Sequence, residues 1–381
     1  MLGALVVAAL IVAAVVVLVA QGFAILLAYQ MPRLDPLAPS AIPRPGPTVS
    51  VVVAARNERD DLPRALDALA AQEYAPALDV VVVDGGSTDG TRAEAERRAP
   101  MVRCLEEPPL PPGWVGKNWA CEVGARATNG EWLLFLDADV RLAPTAVGTA
   151  VAWAQREGAS VASIVPRLEM VGFWERTVLP FYAQMVLTAF RTPRTNRDRA
   201  RSAMVNGQFW LVRRADYEAL GGHAAVRGQL LEDVALARRF RAAGKRIRVA
   251  WAPDLATTRM YTDRRELFEG LVKNVHGTAF SPARLGLLVA ALAGLFLLPL
   301  GLLPLGLAEG SALLVAVGAL LYVALFGKHV AFARTMGAPA AYGLLYPLAA
   351  GFYAVVAATS LGRGVRGRGV AWKGRVYPLE P

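Results

Sequence analysis

Met1 to Tyr29 carries no charged side chain, and this run restricts the chain more than any other feature. Roughly 20 apolar residues cross a bilayer as a helix, and in hydrocarbon only helices and closed barrels satisfy every backbone polar group. A membrane-spanning helix is therefore expected over 1–30. A cleaved secretory signal is the alternative, but no basic stretch precedes the apolar one and no small-residue cleavage site stands out. Three more apolar stretches follow near the other end: Leu285 to Leu307, Ser311 to Phe332 (interrupted by Lys328 and His329), and Ala340 to Leu361. All three are expected to span, forming a C-terminal transmembrane region over 281–362, with Pro299 and Pro304 placed to bend or break the first. Of the 381 residues, 55% are hydrophobic, more than a soluble enzyme usually carries. The excess lies at these two ends.

Arg33, Arg44 and Arg56 follow the first span and nothing basic precedes it, so the positive-inside rule puts the middle of the chain in the cytoplasm. Three further crossings would carry the end of the chain outside. A basic tail over 363–381, with Arg363, Arg366, Arg368, Lys373 and Arg375, argues for inside, and a re-entrant or interfacial stretch would reconcile the two. A multi-pass protein of the cell (inner) membrane with a cytoplasmic domain is expected. The net charge of +10 is accounted for by basic residues beside spans, which meet anionic lipid headgroups. No nucleic-acid-binding motif is present. Cys104 and Cys121 imply no disulfide framework.

Six prolines between Met31 and Thr48 exclude a helix and predict a semi-rigid extended linker over 31–48. From Val49 short apolar runs alternate with amphipathic segments. Strands are expected at Val49 to Ala54, Leu78 to Val83, Val102 to Leu105, Trp132 to Leu136 and Ser160 to Val165, with helices near Leu62 to Ala71, Thr88 to Arg98, after Lys117, and Pro144 to Arg156. That is the signature of a mainly parallel α/β sheet. Ligands in such sheets collect outside the carboxyl ends of the strands, where strand order reverses. The second half is less regular: Phe173 to Phe190 reads as an amphipathic helix at headgroup level or as a core helix. Arg191 to Arg201 reads as a basic loop near the membrane surface or the active site.

Acidic residues stand at the ends of these runs. Asp137 and Asp139 flank Ala138 after a buried strand, so two carboxylates can face one small volume. Mg²⁺ or Mn²⁺ takes oxygen ligands and commonly completes its shell with substrate phosphates, although such a triplet is also common in solvated loops. Asp84 precedes Gly85 and Gly86, where backbone can approach a ligand, and its carboxylate could accept from a base N–H or a ribose hydroxyl. Glu232 and Asp233 open a helix-like segment; they either favour the positive end of its dipole or supply Asp233 as the base that deprotonates an acceptor hydroxyl. Trp114 and Trp119 either pack a loop or belong to a mobile flap over 108–117. Arg259 and Lys273 are either diphosphate ligands or side chains snorkelling at the interface. His223, His276 and His329 lack metal-ligand spacing, and only His223 lies near the acceptor side.

Together these residues resemble family 2 glycosyltransferases of GT-A fold. Val-Ser-Val-Val-Val-Ala-Ala-Arg-Asn-Glu from Val49 to Glu58, the Asp84 turn, Asp137-Ala138-Asp139 and Glu232-Asp233 follow that family's order and approximate spacing between about Thr48 and Gly277. Shorter marks resemble the membrane-bound hopanoid-associated and carotenoid (diaponeurosporenoate-type) glycosyltransferases: Pro112 to Ala120, Asn206-Gly207-Gln208-Phe209, Arg259-Met260-Tyr261, Gly270 to Asn274, and Trp372 to Arg375. The resemblance implies a GT-A (Rossmann-like, mainly parallel) catalytic domain over 49–280. It implies that Ala54, Arg56, Glu58 and Asp84 line the nucleotide pocket with Asp137, that Lys117 lies near the donor, and that Asp139, with Asp137, holds the metal. Asp233, beside Glu232, would be the base of a single inverting displacement. Many members have two aspartates where this chain has Asp84-Gly85. The Gln-X-X-Arg-Trp motif of polysaccharide synthases is replaced by Gly270-Leu271-Val272-Lys273-Asn274.

The expected function is transfer of one sugar from a nucleotide-sugar donor, UDP-linked, to a hydroxyl or carboxyl of a membrane lipid such as a hopanoid or carotenoid, with Mg²⁺ or Mn²⁺. The expected partners are that donor, the lipid acceptor and the bilayer. A polysaccharide synthase is an alternative that lacks its tryptophan motif here. A non-catalytic membrane assembly protein that binds nucleotide-sugar is another, against which the intact acids at all three sites speak.

Overall fold

The computed structural model describes residues 2–278, 282–367 and 369–377. Arg368 and residues 378–381 of the basic tail lie outside the described residues. Two compact units emerge: Met31–Glu169 with Phe190–Met260, and Met1–Gln30 with Met170–Ala189 and Tyr261–Pro381.

The first unit is built on ten strands: β1 (Val49–Ala55), β2 (Asp79–Asp84), β3 (Val102–Glu106), β4 (Trp132–Asp137), β5 (Val140–Leu142), β6 (Val161–Val165), β7 (Arg167–Leu168), β8 (Phe209–Arg213), β9 (Ile247–Trp251) and β10 (Ala256–Thr258). Seven form one sheet in the order β3-β2-β1-β4-β8-β6-β9, in which only β8 runs against its neighbours. Strand β1 is buried along nearly its whole length, as expected of a valine-rich strand covered on both faces. The helix Leu62–Ala70 buries Leu62, Ala65, Leu66 and Leu69, the spacing of a single helical face. On the other side the helix Gly116–Arg126 comes close to the sheet because Gly124 has no Cβ; one there would lie 2.4 Å from a Val52 methyl.

Strand order reverses between β1 and β4, and the acids sit at that point. Ala54 pairs in register with Asp137, and Ala55 with Asp84. A smaller sheet, β5-β10-β7, holds Val140 opposite Thr258 beyond the Asp137-Ala138-Asp139 turn.

Two segments differ from their sequence reading. The proline-rich segment is docked on the first unit: Arg33 bridges to Trp251, Leu34 N–H donates to the Trp251 carbonyl at 2.9 Å, and Ile42 is buried over Gly148. The basic stretch after Phe190 also docks there, with Asn196 exchanging side-chain hydrogen bonds with both the N–H and C=O of Val249. Both segments cover β9, the outermost strand, whose unpaired edge would otherwise be open to other chains. Asp198 receives Arg246 and Arg248 from the same region.

In the second unit the helices Leu2–Tyr29, Phe173–Ala189, Arg264–Gly277, Pro282–Ala308, Ala312–Thr335 and Tyr346–Val365 pack together. Among the described residues three stretches are long and apolar enough to cross a membrane: Val12–Tyr29, Ala312–Thr335 and Ala340–Val365. The helix Pro282–Ala308 continues through Pro299 and Pro304. Gly306 and Gly318 allow backbones to touch where this helix meets its successor; a Cβ at Gly318 would lie 2.8 Å from Leu303 N. Such small-residue contacts are how helices associate where no hydrophobic force drives them. Two motifs also have packing roles here. Gly270 makes room for the buried Tyr261 ring, and Asn274 donates to the Tyr182 hydroxyl at 3.0 Å.

Candidate active site

The loops leaving β1 and β2 are laced together. Asn57 N–H donates to Ser87 Oγ (2.9 Å), Thr88 N–H to Asn57 Oδ1 (3.0 Å) and Glu58 N–H to Thr91 Oγ1 (2.7 Å), while the Arg56 guanidinium donates to the Gly85 carbonyl. Ala54, Arg56, Glu58 and Asp84 thus belong to one cradle at the carboxyl ends of two adjacent strands. The Asp84 carboxylate is buried and accepts the Ser87 N–H at 3.3 Å on each oxygen. It fastens its own turn, a role that its sequence reading as a base or ribose acceptor did not include. Glu107 follows β3, its N–H donating to the Asp84 carbonyl, and its carboxylate lies 2.8 Å from where a Gly85 Cβ would stand.

Lys117 joins the other acids. Its ammonium lies 2.8 Å from Asp137 and 3.0 Å from Glu232, with 36% of the side chain exposed. Burial opposes its charge, but those two carboxylates hold its pKa well above the ordinary lysine value. Glu232 is buried in this ion pair, whereas among the described residues no ion pair engages Asp233. Asp233 Oδ2 accepts the Gly207 N–H at 2.8 Å and Oδ1 accepts the Val234 N–H at 2.7 Å. Burial, then the charge of Glu232, pushes the Asp233 carboxyl up to about 7, with Lys117 and the two N–H groups pulling the other way. Of the two residues, Asp233 has the better geometry for accepting a proton.

Asp139 is held by Thr258, whose hydroxyl donates to Oδ2 at 3.0 Å. Its other oxygen is buried and has no hydrogen-bond partner. Burial, then the Asp137 and Glu58 carboxylates, pushes this carboxyl up to about 8. A buried carboxylate oxygen without a donor, beside two more acids, fits a hard cation that takes oxygen ligands. Among the described residues no three acidic, histidine or cysteine side chains close around a common point, so such a cation would need further oxygens from elsewhere, as from a diphosphate.

The Asn206-Gly207-Gln208 segment connects the two functions. Gln208 Nε2 donates to Thr258 Oγ1 at 3.3 Å, which in turn donates to Asp139, while the preceding residue's N–H holds Asp233. Asn206 is itself fixed by Ser163 Oγ at 2.8 Å. Thr258, which completes this chain, carried no sequence signal beyond its place before Arg259-Met260-Tyr261. Asn118 makes a second connection. Fully buried, its amide reaches the carbonyls of Val226 (3.0 Å), Arg227 (3.1 Å) and Gln229 (2.9 Å), and Val115 N–H adds a bond to Arg227. The helix bearing Lys117 is thereby tied to the loop that leads into Glu232 and Asp233. Asn118→Ala is expected to cost about 2 kcal/mol, because buried carbonyls lose their donor. Thermal melting of the detergent-solubilised chain checks this, and an unchanged midpoint would remove the clamp from the argument.

Other candidates resolve as packing. Trp114 and Trp119 meet edge to face at 4.9 Å, and the Trp119 indole donates to the Pro108 carbonyl, pinning the loop of the expected flap. His223 is fully buried, bonded to the Tyr217 hydroxyl at 2.8 Å and set against Phe135 and Trp210. Burial drives its pKa down to about 3, so it is a neutral core residue. Cys104 and Cys121 are free thiols.

Residues 50–221 match the glycosyl transferase family 2 domain. The chain is 26% identical over 195 residues to a 4,4'-diaponeurosporenoate glycosyltransferase of Staphylococcus haemolyticus, covering 51% of each protein. It is 26% identical over 231 residues to the Staphylococcus aureus (strain USA300) protein of that name, covering 60% of each. The matches thus span between half and three-fifths of those relatives' length. A solved mannosyltransferase of Pyrobaculum calidifontis, in complex with GDP-Man and Mn²⁺, superposes with a TM-score of 0.51 at 20% identity over 92% of this chain and 98% of its own, a likeness of fold. Reversed strand order with acids at the switch point, the matched domain and these relatives converge: residues 50–221 carry a glycosyl transferase family 2 domain, and the chain has the GT-A fold.

Proposed function

We propose that this enzyme is a membrane-bound inverting glycosyltransferase that moves one sugar from a nucleotide-sugar, UDP being the expected nucleotide, to a hydroxyl or carboxyl of a membrane lipid. The observation that carries this reading is the cluster in which Lys117 joins Asp137 to Glu232 while Asp139 keeps a buried oxygen without a donor. The lipid acceptor is supported by the apolar helices and by the named activity of the staphylococcal relatives. Positive charge following the first helix favours a multi-pass arrangement with the catalytic unit in the cytoplasm.

In this mechanism the β1 and β2 loops, with Arg56, Glu58 and Asp84, hold the nucleoside, and Lys117 offsets diphosphate charge. Asp139 and Asp137 would hold Mg²⁺ or Mn²⁺, which when bound supplies Lewis-acid help to a departing diphosphate. Asp233 takes the proton of an acceptor hydroxyl as its oxygen bonds to the anomeric carbon. The bond from that carbon to the donor phosphate breaks, and its electron pair leaves with the diphosphate. Much of the rate comes from holding acceptor and donor in line.

Purified full-length protein given radiolabelled UDP-sugars, Mn²⁺ and a lipid extract is expected to yield a labelled lipid, and the Asp139→Ala protein none. Label in a long water-soluble polymer would instead establish a synthase, and nucleotide-sugar binding without product a non-catalytic role. The position of Asp233 gives a second test. A Cβ at Gly207 would lie 2.9 Å from Asp233 Oδ2, so Gly207→Ala displaces the base. Turnover is expected to fall about a hundredfold with nucleotide affinity unchanged; equal losses in both would mean that the substitution disturbs the whole site.

A further inference from the structure

A second basic site lies within the helical unit, between the helices Arg264–Gly277 and Tyr346–Val365. A cavity of about 740 Å³ opens there, lined by the apolar Val355 and Ala358 and by the charged Arg265, Glu269, Arg363 and Arg366. Its charges do not cancel. Glu269 is taken by Arg363 in a two-pronged ion pair at 2.7 and 2.9 Å. Arg265 and Arg366 are exposed, and among the described residues no hydrogen bond or ion pair engages either guanidinium. Arg265 is near enough to Glu269 to help Arg363 lower that carboxyl's pKa. The surroundings are those of a membrane–water boundary. Arg264 lies over the Trp174 ring at 5.8 Å, and Phe352 meets both Trp174 and Phe268, an aromatic cluster of the kind that marks headgroup depth. The helix supplying the apolar wall belongs to one of the three membrane-length stretches.

From this juxtaposition we infer that the cavity binds the anionic phosphate headgroup of a membrane phospholipid, with Arg265 and Arg366 meeting the phosphate and an acyl chain lying along Val355 and Ala358. A guanidinium pairs with phosphate through parallel N–H donors, and the apolar wall has no use for a free anion. The site is separate from the acids of the sheet. It rests on the reading that these helices lie in a bilayer, and the test separates the two.

Membranes containing the full chain are first washed with carbonate; release of the protein would overturn the bilayer reading itself. If the protein stays, it is solubilised in mild detergent and mixed with phosphatidylglycerol or phosphatidylcholine, and retained lipid is counted by native mass spectrometry. One phosphatidylglycerol per chain is expected, retained in preference to phosphatidylcholine. Each arginine near an anionic headgroup contributes roughly fivefold in affinity, so Arg265→Gln with Arg366→Gln should weaken retention roughly 25-fold. Arg334→Gln, an exposed basic residue outside the cavity, should leave it unchanged. Equal losses from Arg334→Gln and Arg366→Gln would replace the site with general surface charge. Inorganic phosphate binding as tightly as phosphatidylglycerol would overturn the lipid assignment. Glu269→Gln, which frees Arg363, should strengthen retention, and weaker retention would count against the charge argument.

Discussion

Asp233→Asn is expected to lower turnover about a thousandfold, within the range that a positioned general base contributes. The amide keeps the shape of the carboxylate, and Oδ1 still accepts from Gly207 or Val234, so folding and nucleotide binding should survive. Its lost property is basicity. The pH profile gives the sharper test. Burial and Glu232 hold the free carboxyl at about 7, and the base acts only when ionised. In the wild type kcat/KM should therefore rise as pH increases through about 7 and level off above it, while the residual rate of the variant should lack that step. The groups facing Asp233 are Glu232 and Val234 from its own helix, Gly207 from the preceding loop, and Lys117 from the helix Gly116–Arg126. Near-normal turnover in the variant would mean that the acceptor arrives already ionised, as a lipid carboxylate does, and needs no base.

The second large effect concerns stability as well as activity. Asp139→Asn should stabilise the metal-free protein while removing its response to divalent cations. In the fold this carboxyl is pushed from 3.8 up to about 8, so the protonated acid is the form the fold prefers. The associated stabilisation is complete below about pH 4 and is lost as pH rises through about 8. At neutral pH the unfolded chain is ionised at this position and must take up a proton to fold, a cost on the order of 4 kcal/mol. Asparagine carries no such cost, and its amide can donate toward the Asp137 and Glu58 carboxylates. Differential scanning of the two proteins with and without Mn²⁺ should show a higher melting temperature for metal-free Asp139→Asn, and a Mn²⁺-induced rise only in the wild type. An equal Mn²⁺ shift in both would remove Asp139 from the cation site.

The first half of the sheet was legible because its signals are local. Valine-rich runs such as Val49 to Ala55 and Asp79 to Asp84 end in turns whose glycines and acids stand beside one another in sequence. Strands β8, β9 and β10 were missed, since each is short and depends on partners far away: Phe209 pairs with Leu136, and Thr258 with Val140. Thr258 is invisible for the same reason, as a lone hydroxyl gains meaning only through Asp139 and Gln208. The docking of the proline-rich segment on Trp251 depends on an open strand edge that composition does not reveal. Asp137, Asp139, Glu232 and Lys117 were all picked out from sequence; the ion pair that joins three of them belongs to the fold.

The bonds from Asn118 end on carbonyl oxygens of Val226, Arg227 and Gln229, groups that every amino acid possesses. Side chains along 227–229 can therefore be exchanged while the tether survives, provided the number of residues is kept; Val226, buried in the core, must stay apolar. The loop leading into Glu232 and Asp233 can thus vary in sequence while it stays fastened to the helix that bears Lys117.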